Sequence, residues 1–174
     1  MRETPQDLAR LQQLLDRSHA TAGRHLREVI TAERRLDAVE LAQRVRGMCL
    51  LTLATVTADG RPVTGAVDGF FYRGGWYFGS SDDSVRFRHL RRRPSVSAPH
   101  LPGEELSVTV HGRAHEIDVA THDAGRFREV LLESYGSRFG AAATDVFDGP
   151  GVAYARIEAK RMFTFCMDPA TSGA

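Results

Sequence analysis

LATVTADGRPVTGAVDGFFYRGGWYFGSSDDSVRFRHLRRRPSVS, residues 53–97, changes its hydrophobic period twice, and those changes decide the fold. It opens at the end of an apolar, β-branched run, turns at Ala58-Asp59-Gly60, and resumes as a second strand, RPVTGAVDGFFY. Arg73-Gly74-Gly75 turns the chain back into a third, aromatic strand, WYFGS. The alternation then stops. SSDDSVRFRHLRRRP begins with small hydroxyl and acidic residues and runs into a basic helix over 84–93, capped by Asp83 or Ser84 and ended by Pro94.

Working outward, SVSAPHL and ELSVTVHGRAHEIDV read as two further strands joined by a Pro-Gly turn. Thr121 is expected to start a helix with Phe127, Val130, Leu131 and Tyr135 on its core face and Gly136 as its stop. A Gly/Ala/Asp-rich loop, 139–151, leads to a last strand, VAYARIEAKRMFTF. Upstream, LDAVELAQRVRG carries a capping box, Asp37 with Glu40, and Gly47 is the expected helix end. Before it, Leu8, Leu11, Leu15, Ala22, Leu26 and Val29 recur at helical spacing from Thr4 to about Glu33, with a break near Gly23. This predicts an α+β protein: an antiparallel six-stranded barrel with flanking helices and an extra N-terminal amphipathic helix. The expected division is a helical extension (1–35), a barrel domain (36–168) and a tail (169–174). An apolar stripe on the extension has to be buried, and a subunit interface is the expected place.

The bulk numbers narrow the function. A chain of 174 residues that is 42% hydrophobic and 26% charged is an ordinary globular domain. Its formal net charge of +1 supplies no overall field for nucleic acid, so any anion site is local. The basic helix also lacks the interleaved aromatics of a nucleic-acid groove. No apolar run has the length of a membrane span, and the N-terminus is charged. Cys49 and Cys166 sit in apolar runs and read as buried thiols, which fits a cytoplasmic protein. Neither GxGxxG nor GxxxxGK[ST] is present.

The start of the basic helix is the strongest chemical signal. Its first N–H groups have no partner within the helix and carry the positive end of the helix dipole. A phosphate there would meet those groups, the hydroxyls of Ser80 and Ser84, and Arg86 one turn in. Arg91, Arg92 and Arg93 lie at the other end and read as a solvated face.

Residues 53–97, with similar spacings extending over roughly 37–166, resemble the pyridoxamine-phosphate-oxidase-like flavoproteins with the split-barrel fold. The carriers are the strand ending ATVTADGRP, the Gly hairpin, the aromatic third strand, the S-x-R opening of the helix and the L-x-x-x-P that closes it. The resemblance implies a homodimer with FMN at the subunit interface, or deazaflavin F420 in some members, acting on a small-molecule substrate. It implies that Ser80, Ser84 and Arg86 contact the cofactor phosphate. Gly65, Ala66, Val67 and Asp68 would present their backbone to the flavin ring, and Ser107 would reach the ring or ribityl chain. This chain departs from the family at Gly65 and Val85, where basic residues are frequent; Arg61 or Arg88 are the expected substitutes. Its C-terminal FTFCMDPATSGA has nothing like the Arg- and His-bearing segment that holds pyridoxal in the founding oxidase, so a different substrate is expected.

The remaining candidates are weaker. His100, His111 and His115 do not have zinc spacing, and no metal site is expected. Some split-barrel relatives bind haem, and His100 would be the ligand; His111 would be a pocket-lining residue or a proton donor beside a flavin. A cofactor carrier without turnover would use the same pocket. FMN is favoured over F420 because Arg91–Arg93 lie a turn or more from the phosphate end and Lys160 is the single lysine available to an acidic tail.

Overall fold

The structure, a computed structural model, describes residues 2–121, 125–142, 144, 147 and 149–167. Six strands, β1 (Met48–Val56), β2 (Pro62–Tyr72), β3 (Gly75–Ser81), β4 (Ser95–His100), β5 (Leu106–Ile117) and β6 (Val152–Cys166), form a closed antiparallel barrel. The strand order around it is β1-β2-β3-β6-β5-β4. The helices are α1 (Pro5–Ala20), α2 (Arg24–Val29), α3 (Ala38–Arg44), α4 (Val85–Arg92) and α5 (Gly125–Phe139). The expected α+β barrel is therefore present.

Strand alternation builds the interior. On β1, Cys49, Leu51, Leu53 and Thr55 point inward and are buried, while Leu50 and Thr52 point outward. Arg73 and Gly74 both have positive φ, 51° and 73°, the geometry a two-residue hairpin needs to match strand twist. Trp76 and Phe78 then enter the core. On the outside of the same hairpin, Phe70, Tyr72, Tyr77 and Tyr154 meet Phe127, Leu131 and Tyr135 of α5 in a second, aromatic cluster. Burial pushes the Cys49 thiol up to about 11, so it is an inert core group, whereas Cys166 is only half-buried.

Three boundaries differ from expectation. The Asp37–Glu40 box caps α3 reciprocally, at 2.8 and 2.9 Å, but the helix ends at Arg44 rather than at Gly47. Val45 turns extended because its side chain is drawn into the core. Helix α5 passes through Gly136 to Phe139, since Tyr135 and the residues before it are held by aromatic packing that outweighs one weak helix former. Thr121 bonds to the Asp118 carbonyl in a turn, and residues 122–124, like the tail 169–174, lie outside the described residues.

The N-terminal extension also differs. Its break falls at Gly23 as the pattern requires, and the α1 part of its stripe is buried within its own chain, whereas Leu26 and Val29 on α2 are not buried. Leu11, Leu14 and Leu15 join the barrel core, and α1 lies on β6 and α3. Ser18 Oγ accepts the Met162 N–H at 2.9 Å, which fixes the helix to the strand by one directional bond. Asp7 completes a capping box with Thr4 and receives Arg73 Nε at 3.1 Å. Burial alone would raise the Asp7 carboxyl, but donation from Thr4 and Arg73 outweighs it and holds it below the usual carboxylate range.

A carboxyl whose pKa is depressed on folding contributes stability above its unfolded pKa and loses it as pH falls through the folded value. Asp7→Asn should therefore destabilise the protein by about 1–2 kcal/mol at pH 7. In denaturant titrations the deficit against wild type should shrink below about pH 4; an equal deficit at pH 3 would show that Asp7 charge is not the source.

Candidate functional site

Phe87 and Leu90 are buried against the barrel, Phe87 with its ring 6.0 Å from that of Phe78, and they fix which way α4 faces. Ser84 is the N-cap, its Oγ accepting the Phe87 N–H at 3.3 Å. Two residues after the cap, Arg86 turns back across the barrel rim. Its Nη1 donates to Ser80 Oγ at 2.7 Å, and its Nη2 to the Ala66 carbonyl at 3.3 Å. A Cβ on Gly65 would stand 2.8 Å from that Nη2. The bare glycine thus makes the space in which the guanidinium rests. The cation at this strand position arrives from the helix.

These residues surround a recess of about 240 Å³ between β1, β2 and the start of α4, lined by Leu53, Thr55, Val63, Thr64, Gly65, Ser84, Val85 and Arg86. An arginine has five N–H donors, and two of these are engaged by Ser80 and Ala66. The rest, with the first N–H groups of α4 and its dipole, make a set of donors suited to an anion. Ser80 is not in the lining. It acts behind Arg86, as the acceptor that aims the guanidinium.

The sequence-derived residues divide accordingly. Gly65, Ala66, Ser80, Ser84 and Arg86 converge. Val67 is on the same strand but its side chain is buried among the barrel interior. Asp68 faces the other way, accepting the Tyr135 hydroxyl at 3.0 Å. Ser107 is not brought to the cradle: it stands opposite Phe165 in a separate recess of about 210 Å³ that also contains His111. The substitutes expected for the missing family cations are engaged elsewhere, Arg61 with Asp59 at 2.7 Å and Arg88 with the Asp83 carbonyl. Arg91 joins Glu116 at 2.8 Å and Asp82, and Arg93 Nε donates to the Val56 carbonyl at 3.0 Å. The basic face of α4 is thus largely bound to its own chain.

The histidines do not assemble. His100 is a core residue, its Nδ1 3.0 Å from the Leu50 carbonyl and its ring beside Trp76. His115 pairs with Glu158 on the surface at 2.9 Å. His111 Nδ1 lies 2.7 Å from Ser97 Oγ, and burial, with the Arg161 charge, lowers its pKa so that the imidazole is neutral at pH 7. Among the described residues no three His, Cys, Asp or Glu side chains are placed to hold a metal. Two contacts were beyond local sequence reading, Ser97–His111 and Thr55–His89 at 3.0 Å. The first has a traceable signal, because the two strands joined by the Pro-Gly turn pair Ser97 directly with His111.

Residues 39–166 match the pyridoxamine 5'-phosphate oxidase family. No curated protein sequence matches the chain. Among solved structures, the fold is similar to a conserved hypothetical protein of Mycobacterium tuberculosis (20% identity, 83% of this chain and 98% of that one, TM-score 0.62). It is also similar to HutZ, described as the heme storage protein of Vibrio cholerae (20%, 73% and 92%, 0.57). A third is a FAD-binding protein of Mesorhizobium loti (21%, 75% and 93%, 0.57). At these identities the likeness is one of fold.

The geometry at Gly65 can be tested by itself. Gly65→Ala should displace the flexible end of Arg86 from Ala66 and Ser80 at a stability cost below about 1 kcal/mol. Binding of inorganic phosphate, followed by calorimetry, should weaken by about tenfold. Phosphate affinity equal to wild type would mean that Arg86 does not serve the recess.

Proposed function

We propose that this chain, which belongs to the pyridoxamine 5'-phosphate oxidase family, binds FMN and acts as a flavin-dependent oxidoreductase on a small-molecule substrate. The observation that carries the cofactor reading is the Arg86 guanidinium, seated over Gly65 with donors left open beside the N-terminus of α4. The FAD-binding protein of similar fold supports a flavin on this scaffold. When bound, the flavin supplies the redox chemistry; the protein binds and orients it. Arg86, the first N–H groups of α4 and the Ser84 hydroxyl would hold the phosphate, with Ser80 keeping Arg86 in place. The backbone of Gly65 to Asp68 would then run alongside the ribityl and ring portions.

Two further features support a homodimer with the cofactor at its interface. Ser107, the remaining expected contact, lies in a different recess from Arg86 in the same chain, so a second copy is a natural source of it. Leu50 and Leu101 are also 65% and 59% exposed on the uncovered outer face of β1 and just beyond β4. Continuing the Ala54–Ser97 register sets them side by side, an apolar pair that a partner would cover.

F420 has less support, because Arg88 and Arg91, the cations nearest an exit for its acidic tail, are already engaged. Haem, which the similarity to HutZ brings forward, has less support as well: His100, the ligand expected for it, is part of the core.

Arg86→Ala should weaken FMN affinity by about ten- to a hundredfold, the equivalent of about 1.5–3 kcal/mol, with little change in melting temperature. Arg88→Ala should leave FMN binding unchanged. Unaltered FMN affinity in Arg86→Ala would remove the cradle from the start of α4. F420 binding that is tighter than FMN, falls steeply with salt and is lost in Arg88→Ala would replace FMN by F420. Tight flavin binding without reduction by a nicotinamide nucleotide or reduced F420 would make the protein a carrier.

A further inference from the structure

The N-terminal extension builds a cavity that the cofactor reading does not use. It measures about 440 Å³ and lies between α1, the connection from Ile30 to Leu36, the start of α3 and the end of β6. The family match begins at residue 39, so most of these walls are additions to the barrel. Ile30, Phe163 and Thr164 are shared with the recess of about 210 Å³ that contains His111, so the two adjoin as one trough. Its volume falls in the range of small-molecule sites.

The two ends differ in chemistry. At the extension end, Arg35 makes no ion pair among the described residues, and its Nε is buried without a hydrogen-bond acceptor. That atom is closed off from solvent, so a ligand in the cavity would meet Arg35 through the ends of its guanidinium, which make no hydrogen bond among the described residues and suit a carboxylate. The carboxylates around it are each engaged. Asp37 and Glu40 cap α3, Asp16 accepts Gln12 Nε2 at 2.9 Å, and Glu33 is bonded by the Thr31 hydroxyl, which with lesser help from Arg34 and Arg35 lowers its pKa. The wall nevertheless carries more negative charge than positive, so a simple anion would be opposed by Asp16 and Glu33. A ligand with both an anionic and a cationic group would not. At the other end, Leu26, Phe163 and Phe165 offer apolar surface, and the neutral His111, held by Ser97, adds no charge.

We propose that this trough binds an amino-acid-like zwitterion with a large apolar or aromatic side chain. Its carboxylate would lie on Arg35, its ammonium toward Asp16 and Glu33, and its side chain against Phe163 and Phe165. None of these residues belongs to the phosphate cradle, but the apolar end shares its recess with Ser107, which the proposed dimer turns toward a flavin, so the ligand would lie beside that flavin; Arg35 and Asp16, at the other end of the trough, test the site apart from the cofactor.

The test is calorimetric titration of the full chain with L-phenylalanine and L-tryptophan, beside 3-phenylpropionate, which lacks the amine, and phenethylamine, which lacks the carboxylate. At least one amino acid should saturate, binding about tenfold or more tighter than either truncated analogue. Arg35→Gln should reduce that affinity by about tenfold while leaving phenethylamine and FMN unaffected. Asp16→Asn, at an exposed position that the fold does not need, should weaken the amino acid but not 3-phenylpropionate. No saturation by any amino acid up to about 10 mM would overturn the proposal. So would 3-phenylpropionate binding as tightly as phenylalanine, or unchanged amino-acid affinity in both variants.

Discussion

The barrel closes where β4 meets β1 at Ala54 and Ser97, and the chain reaches β4 from β3 only by crossing that opening along α4. The crossing helix has to fill the space beside it, and Phe87 and Leu90 do so. Once those two side chains are inside, helical spacing leaves Ser84 at the cap and puts Arg86 at the rim, facing β2. Closure, packing and the anion cradle are therefore one arrangement. The same closure gives each of the six strands two neighbours, and the remaining helices pack on faces: α5 on the aromatic outside of the β2–β3 hairpin, α1 on β6.

Much of this was legible because it is local. The Asp37–Glu40 box, the hairpin at Arg73-Gly74, the Ser84 cap and the stop at Pro94 each follow from a few neighbouring residues, and each is where the sequence puts it. Signals failed where distant packing overrode them. Gly47 lost the end of α3 to Val45, whose burial pulls the backbone out of the helix early, and Gly136 was carried inside α5. The stripe on α1 established that it must be buried, but periodicity does not say against which chain. Ser18 and Asp7, polar residues with no mark in that pattern, are what tie α1 to β6 and to the hairpin.

The candidate site divides in the same way. The order of turn, serine, arginine and helix points, from the sequence alone, to a set of donors at the start of α4. What it did not contain was the exchange at Gly65, where the loss of one side chain on β2 makes room for a guanidinium from α4. Nor did it show that Ser80 supports Arg86 rather than lining the recess, that Ser107 sits apart, or that Arg35 is left without an acceptor beneath the extension. These facts depend on residues tens of positions apart meeting in space. They also explain why Arg88, Arg91 and Arg93 are poor candidates for ligand contact: they are held by carbonyls and carboxylates of their own chain.

The central claim is that the cradle at the start of α4 holds a phosphorylated flavin. The most direct measurement is the absorption spectrum of the purified protein, with the released chromophore identified by mass and, if the protein is colourless, repeated after incubation with FMN. A flavin spectrum with FMN as the released species is the predicted result. A haem spectrum, or a protein that stays colourless and takes up no FMN, would contradict it.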